Sequence, residues 1–160
     1  MAAAGGGGGD AVKKAITQAS HGFIVGDVVY HAGAVWAKAR ADLPATCDVV
    51  GIVSAVAGVN DFTVTTHGYI SGLSGLTADT TYFLSPTTSG LLTATEPTTG
   101  GHVSKPVLQS ITTTTGFVTN YRGVTIGDIT VGPIMISTQT VSGVANVDFT
   151  SGLNSTYTNK

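Results

Sequence analysis

Charge is what this sequence has least of. Only 10% of its 160 residues are Asp, Glu, Lys or Arg, against about 25% in an ordinary soluble domain. The seven cations are scattered, and between Ala41 and Asn159 only Lys105 and Arg122 occur. No basic face for a phosphate backbone can be built from them, so the reading is of no nucleic-acid partner. Glutamate occurs once, at Glu96, and good helix formers are scarce. The single cysteine, Cys47, leaves no internal disulfide framework and no Cys-based zinc site. It reads as a small apolar residue. The longest apolar stretch, Gly51 to Val59, is far short of the ~20 residues a membrane-spanning helix needs, so no membrane insertion is expected. Met1 to Asp10 has neither the basic start nor the apolar run of a secretory signal, which points to synthesis in a reducing cytoplasm.

Threonine and glycine fill the space that charge leaves. There are 26 Thr and 22 Gly, and Thr and Val favour a pleated backbone. The expected fold class is all-β: a small β-barrel or sandwich of short antiparallel strands, with an extended N-terminal arm and a β-rich C-terminal extension. Val28–Tyr30 and Val35–Ala39 flank Gly33 as a hairpin, with Phe23 and Val25 leading into its first strand. Val49–Val56 is a continuous apolar run, as in a strand buried on both faces. Phe62–Thr65 alternates and continues through Tyr69 and Ile70. Thr81–Leu84 and Leu91–Ala94 flank a turn at Ser85–Gly90. Val103–Ile111 and Gly116–Arg122 read as the last two strands. This divides the chain into a flexible Ala/Gly-rich arm (1–19), one β-domain with a single core (20–123), and a connector with the start of a further β module (124–160). Within the arm, Ala11–Gln18 fits either a helical turn or two, or an extended segment. Val141–Phe149 begins a fresh alternating stretch, and whether Lys160 is a true terminus is left open.

Chemistry-bearing residues are few and dispersed. His21, His31, His67 and His102 show no HxH or HExxH spacing and read as turn and strand-end residues, not metal ligands. Ser71 and Ser74 lack a GxSxG elbow. Asp27, Asp42, Asp61, Asp79 and Asp128 stand singly, mostly at turns, where a carboxylate bonds its own backbone. The five-glycine run is followed by no Lys-Ser/Thr, so it is not a phosphate loop. Asn154-Ser155-Thr156 matches a glycosylation pattern but, without a signal peptide, would meet no glycosylation machinery. No catalytic, metal or cofactor residue is assigned. Trp36 with Phe23 and Tyr30 reads as core of a hairpin, and the rival reading makes Trp36, Tyr30 and Tyr82 a sugar-stacking platform.

An ordered series of motifs remains. His21-Gly22-Phe23-x-Val25-Gly26-Asp27-Val28-Val29-Tyr30 is followed by Trp36-x-Lys38-Ala39-x-Ala41-Asp42. Then come Val50-Gly51-Ile52-Val53-Ser54, Gly68-Tyr69-Ile70-Ser71-Gly72-Leu73, Leu76-Thr77-x-x-Thr80-Thr81-Tyr82-Phe83-Leu84-Ser85, Gly90-Leu91-Leu92-Thr93 and Lys105-Pro106-Val107. Over residues 20–123 this series resembles modules in structural proteins of tailed bacteriophages, above all tail fibres. The resemblance implies a non-enzymatic virion protein, made in the host bacterial cytoplasm, that links the particle to a distal host-binding region. It also implies partners: other virion proteins of tail, baseplate or capsid, and a host glycan through a distal part; low charge and the unfinished C-terminal segment add further copies of the chain, as a homotrimer. A capsid decoration or head-fibre protein is the alternative, and a carbohydrate-binding module the second.

Overall fold

The computed structural model describes residues 11–127. The expectations for 1–10 and for the chain beyond 127, Asp128 and the glycosylation pattern at Asn154 among them, lie outside the described residues. The described chain is all-β: eleven strands and one short 3-10 turn at Pro44–Thr46, with no α-helix among the described residues. In chain order the strands are β1 (Ala11–Thr17), β2 (Val28–Ala32), β3 (Val35–Lys38), β4 (Val49–Val56), β5 (Asp61–Ser71), β6 (Thr81–Leu84), β7 (Leu92–Thr93), β8 (Val103–Ser104), β9 (Pro106–Ser110), β10 (Thr115–Val118) and β11 (Val124–Thr125). Nine of them form one curled antiparallel sheet, a half-barrel, in the order β3-β2-β4-β5-β10-β9-β6-β7, with β1 also paired to β5. Strands β8 and β11 make a separate two-stranded pair.

Burial divides between the two faces of the sheet. The inner face carries the larger core, including Val28, Ile52, Ile70, Leu84, Val107 and Leu108. On the opposite face Phe23, Val29, Val53, Phe62 and Val64 form a second, smaller cluster, with Ile16 and Trp36 packed against it. The single core expected for the domain is therefore two. Strand β4 shows why: Ile52 belongs to one cluster and Val53 to the other, as a run buried on both faces requires. Only its last residues, Ala55 and Val56, emerge into solvent.

Two close approaches fix this sheet. A side chain at Gly51 would put its Cβ 2.2 Å from the Thr65 carbonyl oxygen, so β4 reaches β5 only because position 51 is bare. At Gly90, which has φ +81°, a Cβ would lie 2.9 Å from Asp27 Oδ1. The turn thereby closes over the ion pair of buried Asp27 with half-buried Lys38, Nζ to Oδ2 at 2.9 Å.

Strand β5 holds the register. Val12 pairs with His67 and Lys13 with Thr65, so Thr66 is an extra, bulged residue. The bulge resets the alternation. Before it, Phe62 and Val64 face the outer cluster; after it, Ile70 faces the inner one, while His67 and Tyr69 are exposed.

Several boundaries differ from the sequence expectation. Residues 11–17 of the expected flexible arm are a strand of the sheet, and not helical turns. Ile16 packs on the outer cluster and the Thr17 hydroxyl donates to Asp61 Oδ1 at 2.6 Å. Residues 21–27 are a loop instead of a strand, because Asp27 Oδ2 accepts from the Ile24 amide and folds the chain back on itself. The run Val103–Ile111 splits at Lys105 into β8 and β9. Val124–Thr125, assigned to the connector, pairs with β8 and so belongs with the domain.

Candidate functional site

The four histidines do not converge. His21 sits against the outer cluster, its ring centroid 5.2 Å from that of Phe23 and 4.8 Å from that of Phe62. Its Nδ1 accepts from the Phe23 amide at 2.9 Å, and its Nε2 is buried without a partner. His31 lies exposed on β2, His67 exposed on β5, and His102 just before β8. Among the described residues no three His, Cys, Asp or Glu side chains are grouped to hold a metal.

Asp27, Asp42 and Asp61 each hold a structural partner. Asp27 is buried, accepts from the Ile24 amide at 2.8 Å and pairs with Lys38. Asp42 pairs with Arg40 and accepts from the Thr46 hydroxyl at 3.1 Å. The Arg40 guanidinium holds the Asp42 carboxyl below its usual range, and the carboxylate in turn raises the guanidinium. Asp61 accepts from Thr17, and Asp79 occupies a left-handed turn position at φ +53°.

One end of the half-barrel collects less ordinary groups. Cys47 is buried, and burial raises its thiol above the usual value, with Asp48 adding to the effect. Lys105 is only 7% exposed. Burial lowers its pKa, while Cys47 and Asp48 act against that shift. Asn120, at φ +41°, donates its Nδ2 to the Val49 carbonyl at 2.9 Å, and its Oδ1 is buried without a partner. A thiol held protonated in this way is a poor nucleophile, since the thiolate is the reactive form. Cys47 thus packs as a small apolar residue.

The sugar-stacking trio is not assembled. Trp36 is half-buried and edge-on to Phe62, with ring centroids 6.1 Å apart, in the outer cluster. Tyr30 packs against the inner core, and Tyr82 is buried with its Oη accepting from the Thr77 amide at 2.7 Å. Opposite faces of the sheet cannot present one platform.

Among the described residues, concavities open at the surface in at least two places. A cleft of about 210 Å³ lies between the loops bearing Ile24, Val25, Leu73, Leu76 and Leu91, above Tyr82, with Ser74 at its rim. A second, of about 280 Å³, is lined by hydroxyls and carries Glu96 and His102. Glu96 accepts from the Ser104 hydroxyl at 2.5 Å.

Sequence reading missed a row of side chains on one face of the sheet. Tyr69 on β5 lies opposite Phe117 on β10, Phe117 opposite Gln109 on β9, and Gln109 opposite Thr81 on β6. Residues directly opposite in an antiparallel pair share a face, so these four form one line across four strands. Tyr69 and Phe117 contact edge to face, with ring centroids 5.9 Å apart, and Phe117 is 46% exposed. The Thr81 hydroxyl donates to Gln109 Oε1 at 2.7 Å. No single segment carries this row. It exists only once the register is set and the Thr66 bulge has turned Tyr69 outward.

No protein-family model, curated protein or solved structure matches this chain.

Proposed function

We propose that the chain is a non-enzymatic structural protein of a tailed-bacteriophage virion, a tail fibre or its particle-anchoring part, assembled as a homotrimer. One observation carries this reading. The motif residues that resemble phage fibre modules are the residues on which this sheet depends. Buried Asp27 pairs with Lys38, Gly90 closes over them, Gly51 allows β4 to approach β5, and the Tyr82 hydroxyl holds the loop at Thr77. Motif residues that serve as scaffold positions are what a load-carrying module requires. An enzyme's signature would centre on titratable groups brought together in a cleft. The scarcity of charge supports assembly in the same way: a weakly charged β-domain with exposed apolar side chains needs its surface covered by neighbours.

Immunogold labelling of purified phage particles with an antibody to this chain tests the proposal. Gold on tail, baseplate or fibres, at a few copies per particle, is the expected result. Gold spread over the head would move the protein to capsid decoration, and particles that never label would overturn the reading altogether.

A further inference from the structure

Among the described residues the sheet has one long edge that nothing closes. Strand β3 ends the sheet on one side and carries the Gln18 side chain, bonded to both backbone groups of Trp36. Strand β7 ends it on the other and is two residues long. Strand β1 has seven residues, about 23 Å, and pairs with β5 alone. The Thr66 hydroxyl donates to the Val12 carbonyl at 3.2 Å and the Gln18 amide to the Asn60 carbonyl at 2.7 Å. In an antiparallel pair bonding alternates along the strand, so Val12, Lys14 and Ile16 turn their backbone groups toward β5. On β5 the Thr63 and Thr65 carbonyls point the other way, to Ser54 and Gly51 of β4. The amides and carbonyls of Lys13, Ala15 and Thr17 therefore face outward, with no described strand beside them.

Charge gathers on this edge. Lys38 and Arg40 are held in ion pairs, Lys105 is buried, and Arg122 is exposed beyond β10. Lys13 and Lys14 stand exposed and side by side, and among the described residues neither pairs with a carboxylate. Lys14 alternates onto the face of Ile16 and the outer cluster, Lys13 onto the opposite one. At the far end of the strand Asp61 lies opposite Thr17 and accepts from its hydroxyl; at the near end His67 lies opposite Val12. Asp10, before the strand, lies outside the described residues.

We infer that the open edge of β1 takes an extended acidic segment of a partner protein as an added antiparallel strand. The outward N–H and C=O groups of three residues supply the main-chain bonds of such an addition. The lysines that blunt the edge against indiscriminate pairing also select its occupant: a strand with carboxylates at two successive positions, one for each face. Asp61 sets the rest of the pattern, because a carboxylate opposite Thr17 would meet a like charge. A second copy of β1 is a poorer fit, since AVKKAIT offers the lysines no counter-charge. The inference concerns this edge alone and stands or falls apart from the virion reading.

An NMR titration of the full chain with the peptide acetyl-Thr-Val-Thr-Glu-Glu-Val-Thr-amide tests this. Its Glu pair falls opposite Lys14 and Lys13, and Thr opposite Thr17. Versions with Gln-Gln or Lys-Lys in place of Glu-Glu, and one N-methylated at the third and fifth residues, run alongside. The acidic peptide is expected to shift the amide resonances of Lys13, Ala15 and Thr17 and to slow their exchange with solvent. The Gln-Gln peptide should bind about fivefold more weakly, and the Lys-Lys and N-methylated peptides should give no shift. Ala15→Pro removes an outward N–H without touching a bond to β5, and should weaken binding at least about tenfold. Lys13→Gln with Lys14→Gln changes only exposed side chains, so it decides the matter where the proline variant loses its fold; it should cost the acidic peptide the same fivefold or so. No binding, equal binding of the neutral or N-methylated peptide, or full binding in the folded variants would each overturn the site. Slow exchange at Lys13, Ala15 and Thr17 before any peptide is added would also overturn it, by showing the edge already covered by the chain itself or by its copies.

Discussion

Lys105 stands between β8 and β9 with its side chain among apolar neighbours. The missing side chain at Gly123 leaves room for its stem: a Cβ there would meet Lys105 Cδ at 3.2 Å and Val103 Cγ1 at 2.5 Å. Burial disfavours the ammonium and lowers its pKa from the ordinary 10.5. The sign of the consequence follows. Between the lowered folded value and 10.5 the unfolded chain binds more protons than the folded one, so stability rises with pH through that window. It is lost as pH falls through the folded value. Lys105→Met should remove this slope and raise stability at neutral pH by about 1 kcal/mol, because a methionine stem fills the same space without a buried charge. Urea midpoints of the two proteins, at neutral pH and just below the ordinary lysine value, give the comparison. A variant that is weaker at neutral pH, or that keeps the wild-type slope, would show that the ammonium has a partner holding it in place. Sequence alone could not mark this residue. Lys105 reads as one of only two cations between Ala41 and Asn159, and its burial depends on Gly123, eighteen residues further on.

At the scale of elements the sheet must manage its edges. Strand β3 is an edge strand, and the side chain of Gln18 occupies it: the Trp36 amide donates to Gln18 Oε1 at 2.6 Å and Gln18 Nε2 donates to the Trp36 carbonyl at 3.1 Å. A side-chain amide thus substitutes for one residue of a neighbouring strand. It blocks the groups on which another chain would template. Gln18→Ala should lose roughly 1 to 2 kcal/mol for the two bonds and should aggregate faster on heating, measured by light scattering at equal unfolded fraction. Unchanged aggregation would mean that the Trp36 edge is shielded by something other than Gln18. The elements themselves were largely readable. The hairpin at Gly33, the doubly buried run of β4 and the Phe62–Ile70 strand stand where local pattern places them, since each carries its own periodicity or turn signal. What failed was what depends on partners. Ala11–Thr17 has little apolar periodicity and becomes a strand only by lying along β5. The exposed aromatic row needed three registers and one bulge, none of which a single segment encodes. Trp36 was legible as core and illegible as a member of the outer cluster, because two faces of one sheet look alike in sequence.

For the whole molecule, low charge decides what kind of force can hold copies together. With only a tenth of its residues ionic and Asp27–Lys38 and Arg40–Asp42 paired within the chain, charge is sparse for bridging between subunits. The proposed trimer must therefore rest on apolar and hydroxyl contacts, which salt does not screen. Exposed Val12, Val35, Val59, Val124 and Tyr121 supply apolar area for it. Sedimentation equilibrium should give three times the 16.1 kDa chain mass, unchanged from ~0.05 to ~1 M NaCl, a range over which the Debye length falls from more than 10 Å to about 3 Å. Sodium sulfate should strengthen the association, since excluded salts favour apolar burial. Dissociation on adding NaCl would assign the contacts to ion pairs. A stable monomer at micromolar concentration would remove the trimer, and with it the argument that this surface is made to be covered by copies of itself.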